Sequence, residues 1–210
     1  MKFISSVKLM LVCGVLASLL YIGSDIVAGL SWEGYSFTSQ AVSELRGIGA
    51  PTRVFLVPIL LVYAVLEIVF GLGIWKVAKK RSLHITGALF IGLGALDLMG
   101  PFFAMNASEP VGSVTNIIHI AVTILTLLSI FLIIGFGALS AGRKFCVYSI
   151  ATLLVIITAG TLTFLEVPRI AESLPTPWMG VKERINIYGY MLWVSILAIT
   201  LLRVSKKKKL

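Results

Sequence analysis

The side chains with chemical potential in this chain are few, and most interrupt or border long apolar runs. Asp25, Glu67, Asp97, His119, Glu166 and Glu183 do so, with Arg46, Arg53 and Arg184 near the ends of such runs. A charge inside a bilayer costs at least a few kcal/mol unless it is shielded, so these positions read first as ion, proton or ligand sites. Their types suit two tasks. Guanidinium groups grip a phosphate or carboxylate head, and carboxyls at different depths can relay a proton.

Helical spacing sorts the polar groups into stripes. Gly14, Ser18, Tyr21 and Asp25 share one face, as do Gly87, Gly94, Asp97 and Pro101. Asn116, His119, Thr123 and Thr126 form a third stripe, and Thr152, Ala159, Thr163 and Glu166 a fourth. Glu183, Asn186, Tyr190 and Trp193 form a fifth. Each stripe is expected to face a bundle interior. Asp25, Glu166 and Glu183 fall near outer helix ends, with Asp97 and His119 in the outer half. Glu67 falls about 20 Å below Arg53 at the usual helical rise. The predicted site is therefore an outward-facing polar cavity rimmed by Arg46, Arg53 and Arg184 and shaped by Asp25, Asp97, His119, Glu166 and Glu183. The plainer reading is structural: Ser and Thr stripes bond neighbouring helices, Glu183-Arg184 starts a helix, and Glu67 sits as a neutral acid.

Other chemistries find less support. The only histidines, His84 and His119, are expected toward opposite faces, and no tight ligand spacing joins Asp25, Asp97, His119 and Glu166 into a metal site. Ser43-Glu44 has no histidine in the same loop to complete a triad. No catalytic or cofactor signature stands out, so an enzyme is not favoured and no cofactor or metal is expected.

The elements that must position these groups are six apolar runs, approximately 7–29, 54–75, 83–105, 113–139, 145–166 and 185–204. A bilayer core needs about 20 mostly apolar residues per helix. Hydrophobic residues make up 58% of the 210 and charged ones 13%, which leaves little polar surface for a separate soluble domain. Backbone groups in lipid must bond internally, and the runs lack the alternation of barrel strands. The expected fold is all-α: one transmembrane domain over residues 1–210, a polytopic six-helix bundle with both termini cytoplasmic. The orientation follows from charge. Lys2, Lys8, Lys76, Lys79, Lys80, Arg81, Arg143, Lys144, Arg203 and Lys206 to Lys209 fall inside, whereas only Arg46, Arg53, Arg169, Lys182 and Arg184 fall outside.

The net charge of +9 does not point to nucleic acid, because the lysines cluster where helices leave the inner leaflet and can attract anionic lipids. Lys207-Lys208-Lys209-Leu210 also has the form of a dilysine retrieval signal, a reading that applies only in a eukaryotic host. The first run lacks a convincing cleavage site and is expected to be retained. Cys13 and Cys146 fall in distant regions and are not expected to pair.

Two outer segments have room for structure. Phe37, Ala41, Leu45 and Ile48 recur at helical spacing, predicting a short amphipathic helix capped by Thr38 or Ser39 and ended at Gly47. In 167–182, Pro168, Pro175 and Pro177 are expected to exclude regular helix, with Trp178 and Met179 as interfacial anchors.

Ser39-Gln40-Ala41-Val42-Ser43-Glu44-Leu45, with Gly49-Ala50-Pro51-Thr52-Arg53 after it, resembles the first-loop signature of the membrane family called domain of unknown function 998. Gly180-Val181-Lys182-Glu183-Arg184-Ile185 through Trp193 to Arg203 is similar to that family's last helix. The resemblance implies a six-helix protein of a prokaryotic cytoplasmic membrane and carries no activity. Ser43, Gly49 and Pro51 bear a fainter similarity to the damage-regulated autophagy modulators, some of whose relatives handle lipids. Three functions follow as expectations. The first is binding of a membrane lipid or anionic amphiphile in the outer cavity. The second is proton-coupled solute transport, with Glu67 and Asp97 as relay. The third is a non-catalytic assembly or sensor role for the outer loop. The oligomeric state is not legible.

Overall fold

In the computed structural model, which describes residues 2–172 and 174–206, the chain is all-α, with no strand among the described residues. The long helices are α1 (Lys2–Ser31), α2 (Arg53–Val77), α3 (Arg81–Leu98), α4 (Val114–Ala138) and α5 (Arg143–Phe164). A one-turn helix α6 (Val167–Ala171) precedes the last, α7 (Met179–Lys206). Five stretches are long and apolar enough to cross a membrane: Ser6–Ser31, Arg53–Val77, Val114–Ala138, Arg143–Ile170 and Met179–Val204. The remaining long helix, α3, has 18 residues, about 27 Å at the helical rise, and carries Arg81, His84 and Asp97. Lys207 to Lys209, of the dilysine form, lie outside the described residues.

Neighbours in sequence pack as neighbours in space, and the bundle closes on itself: α1, α2, α3, α4, α5 and α7 form a ring that returns to α1. Lipid tails give apolar side chains no reason to leave them, so close packing must hold the ring together. Small residues let it close. A Cβ on Gly71 would stand 2.8 Å from the Gly87 carbonyl oxygen, and one on Gly94 2.9 Å from that of Ala64, so α2 and α3 touch backbone to backbone. Gly14 admits the Phe70 ring, and Gly137 admits Trp193. One half of the interior is a dry layer in which Leu11, Phe70, Ile74, Phe90, Ile133, Ile134, Trp193 and Leu197 are fully buried. Phe70 and Phe90 meet edge to face at 5.0 Å, Tyr190 stacks on Phe90 at 6.5 Å, and the Trp193 indole donates to Ser149 at 2.9 Å. Leu9, Leu16, Leu19, Val54, Val62 and Leu154 are among the many large apolar side chains left exposed on the outside, as lipid-facing surfaces require.

The two ends of the bundle differ. Lys80 donates from the α2–α3 turn to the Leu139 carbonyl beside the α4–α5 turn at 3.4 Å, so the two basic turns meet at one end. At the other end the long connections interlock, with Gly180 donating to Thr38 O at 2.9 Å and Ile48 to Met105 O at 2.8 Å.

Several sequence expectations need correction. The amphipathic helix shrinks to a 3-10 turn over Val42–Arg46, whose first residue follows Ala41 rather than a Thr or Ser cap. Glu44 reaches back to the Ala41 N–H at 2.8 Å, and Ser36 and Ser39 bond each other instead. The third run stops at Leu98, because Gly100-Pro101 turns the chain into a 3-10 segment, Gly100–Phe103. Helix does form among the prolines of 167–182. Pro168 sits in the first turn of α6, where no N–H is needed, and α7 begins at Met179. The α4 stripe does not face inward along its length. Asn116 is buried, but none of the residues from Ile117 to Ser129 is, and Thr123 is exposed.

The α2–α3 contact makes a direct prediction. Gly71→Ala should destabilise the protein by about 1–3 kcal/mol, because neither backbone can yield to the added methyl. Gly92→Ala, where the methyl meets nothing, should be neutral or stabilising. Thermal unfolding of both variants in detergent checks the contrast.

Candidate functional site

Most of the expected site residues divide among four separate arrangements, and His119 belongs to none of them. The first is a closed knot. Arg184 projects from the first turns of α7 and forks onto Asp25 of α1, Nε to Oδ2 at 2.9 Å and Nη2 to Oδ1 at 3.1 Å. Its remaining donors reach Phe37 O at 2.9 Å, Gly180 O at 3.3 Å and the Tyr35 hydroxyl at 3.0 Å, and its plane lies 4.6 Å from the Phe37 ring centroid. Tyr188, one turn on from Arg184, donates to Asp25 as well. Tyr35 passes its own proton to Ala41 O at 3.0 Å, and burial pushes its phenol up to about 12 against the pull of Arg184. Every arm of Arg184 is thus committed to joining α1, the first loop and α7.

The second arrangement is a cap: Glu183 accepts the Val42 N–H at 2.6 Å, which ties the start of the 3-10 turn to α7. In the third, Glu166 takes Lys182 and, at 3.5 Å, Arg169, away from the Asp25 knot. His119 stands apart from both and bonds the Phe103 carbonyl through Nδ1 at 2.8 Å.

The fourth arrangement lies deeper. Arg46 and Arg53 line a cavity of about 20 Å³ with Asp97, floored by Val57, Leu60 and Leu61, with room for one water. Arg53 is held in place, giving Nη1 to Arg46 O and Nη2 to Pro101 O at 3.1 Å. The Arg46 guanidinium makes no hydrogen bond or ion pair among the described residues, and Asp97, Glu183 and Tyr21 lie within reach of its charge. Beside Asp97, on the facing side of α2, sits Glu67, 3% exposed. Its Oε1 meets the Tyr63 and Tyr190 hydroxyls at a long 3.4 Å each, and its buried Oε2 has no hydrogen-bond partner. The antiparallel α2–α3 contact therefore brings together two carboxyls that sequence depth had separated.

Sequence reasoning missed Tyr35, Phe37 and Tyr188 around Arg184, and Tyr63 beside Glu67. Two of these carried a signal, since Tyr188 follows Arg184 and Tyr63 precedes Glu67 by one helical turn. The loop residues carried none, because a loop's reach depends on tertiary contacts.

With this geometry in place, comparison with known families is informative. The model for a protein of unknown function, DUF998, matches residues 15–200. The chain belongs to the DUF998 family. The matched span runs from mid-α1 to late α7 and so includes Asp25, the Glu67–Asp97 pair and Arg184. No curated protein and no solved structure matches this DUF998 chain.

The knot makes the strongest prediction about stability. Arg184→Ala leaves Asp25, 2% exposed, without its cationic partner and with only the Tyr188 hydroxyl, and should cost about 3–5 kcal/mol. Arg184→Lys should recover little, because an ammonium cannot fork onto both carboxylate oxygens. Adding Asp25→Asn to Arg184→Ala should restore part of the loss, and a double-mutant cycle on thermal unfolding measures it.

Proposed function

We propose that this membrane protein is a proton-coupled carrier of a small solute, with Glu67 and Asp97 as its proton-binding pair. It is a six-span bundle with both termini cytoplasmic, placed in a prokaryotic cytoplasmic membrane. The even number of long helices and the meeting of the two basic turns at one end support both termini lying on one side.

One observation carries the functional reading: a carboxyl buried in mid-bundle with one oxygen unpartnered and a second carboxyl alongside. Asp25, by contrast, has both oxygens bonded, and the unpartnered Glu166 Oε2 has Arg169 at 3.5 Å, whereas Glu67 has no cation paired with it among the described residues. Two neighbouring carboxyls repel when both are ionised, so the pair is stable with a shared proton and can release it when the surroundings change. On one side lies the small cavity beneath Arg46 and Arg53, and on the other the dry aromatic layer blocks passage. That asymmetry is the form alternating access takes when a site is reachable from one face.

A second reading keeps the amphiphile. An open groove of about 460 Å³ runs along α7 between Phe37, Val181, Ile185 and Leu192, with Arg184 and Tyr188 on its wall. It would suit an acyl chain. Arg184 is already saturated, however, so the groove offers a tail site without a free cationic grip.

Carbodiimide labelling tests the proton-binding reading. In nanodiscs, N,N′-dicyclohexylcarbodiimide should modify the Glu67 peptide, with labelling that falls as pH rises and vanishes in Glu67→Gln. Peptide mass spectrometry reads the adduct. A folded wild-type protein that stays unlabelled at acid pH would overturn the reading.

A further inference from the structure

The groups around the carboxyl pair also indicate what the solute carries. We propose that Arg46 is an oxyanion-binding group, for a phosphoryl or carboxylate head, whose occupation is linked to proton uptake by Glu67 and Asp97. The proposal rests on the proton-binding reading above and adds the chemical class of the ligand.

Two independent features meet here. Arg46 lacks a hydrogen-bonded partner, whereas Arg53 and Arg184 spend their donors on carbonyls and on Asp25. The buried Oε2 of Glu67 is also without a partner, next to Asp97 on the wall of the same cavity. Asp97 shares the cavity wall with Arg46 and is a counter-charge to it. With one proton shared between them the pair still carries one negative charge, and uptake of a second proton, onto Asp97, removes that counter-charge. The guanidinium is then left positive in a low-dielectric site and draws in an anion, preferably one matching its fork. One proton enters with one anion, so the step offsets one unit of the charge the anion brings into the membrane.

The neighbouring groups leave this balance to Arg46. Tyr21 on α1, Tyr63 on α2 and Tyr190 on α7 surround the pair as hydroxyls. His119 on α4 is turned to the Phe103 carbonyl, and Glu183 on α7 is bonded to Val42. Glu44 is bonded to the Ala41 N–H and the Gln40 amide. Arg53 contributes charge from a fixed position. The cavity, about 20 Å³, has room for no more than one water, so anion entry requires Arg46 to swing outward from Asp97.

Inorganic sulfate is a suitable probe because it does not titrate near neutrality. Radiolabelled sulfate binding would be measured by equilibrium dialysis on protein in phosphatidylcholine nanodiscs, alongside native mass spectrometry in nanodiscs containing phosphatidylglycerol. Wild-type sulfate affinity should rise as pH falls, by about tenfold per unit where one proton enters with one anion. Asp97→Asn, which removes the counter-charge permanently, should raise sulfate affinity at neutral pH and flatten its pH dependence. Arg46→Gln should abolish binding while carbodiimide still labels Glu67, and Arg46→Lys should restore part of it. Selective retention of phosphatidylglycerol without sulfate binding, lost in Arg46→Gln, would identify the source as a lipid headgroup. No binding of either probe by wild type, or binding unchanged in Arg46→Gln, overturns the anion site. If Glu67 labelling persists in that case, the proton-binding reading still stands; if labelling is absent, both fail.

Discussion

A bilayer offers no hydrogen bonds, and the structure is organised around that constraint. Helices satisfy the backbone, and side-chain hydroxyls along the interior do the same locally: Ser18, Thr86, Ser149 and Thr152 each donate to the carbonyl four residues earlier. Charges cannot be satisfied so locally. Asp25 and Arg184 solve the problem by pairing across α1 and α7, and in doing so they recruit Tyr35, Phe37 and Tyr188. That pair closes the helix ring at the end where the long connections interlock and fixes the first loop over it. The placement of Arg46 above Asp97 then follows, because the turn bearing Arg46 hangs from Ala41 and Val42, which Glu44 and Glu183 hold.

Against this background of satisfied groups, Glu67 and Arg46 stand out. Most other polar groups at this end of the bundle are bonded, so these two represent stability given up at a chosen place. Proteins keep such groups where charge or solute must move. The opposite half of the interior contrasts with them: Phe70, Phe90 and Trp193 are fully buried there and fill it with packed rings.

Much of this was legible in the sequence. Apolar run lengths gave the long helices, because hydrophobic length is a local property. Stripe spacing placed Asp25, Asp97 and Tyr190 toward neighbours. What spacing could not supply was the order of helices around the ring or the register between them. Asp97 and Glu67 seemed to differ in depth, yet Gly71 and Gly87 set an α2–α3 register that makes them adjacent. Arg184 looked like part of a ligand rim, and only the fold shows Asp25 claiming it. The α4 stripe misled for another reason. Thr123 bonds its own helix at His119 O, so a hydroxyl in a membrane helix need not face a partner.

The central claim is that Glu67 and Asp97 share an exchangeable proton inside the bundle. Infrared difference spectroscopy across a pH step, on wild-type protein in lipid and on Glu67→Gln, reads it most directly. The account predicts a protonated-carboxyl stretching band in wild type that is lost on alkalinisation and absent from the variant. An unchanged spectrum in wild type, or the same band in Glu67→Gln, would contradict it.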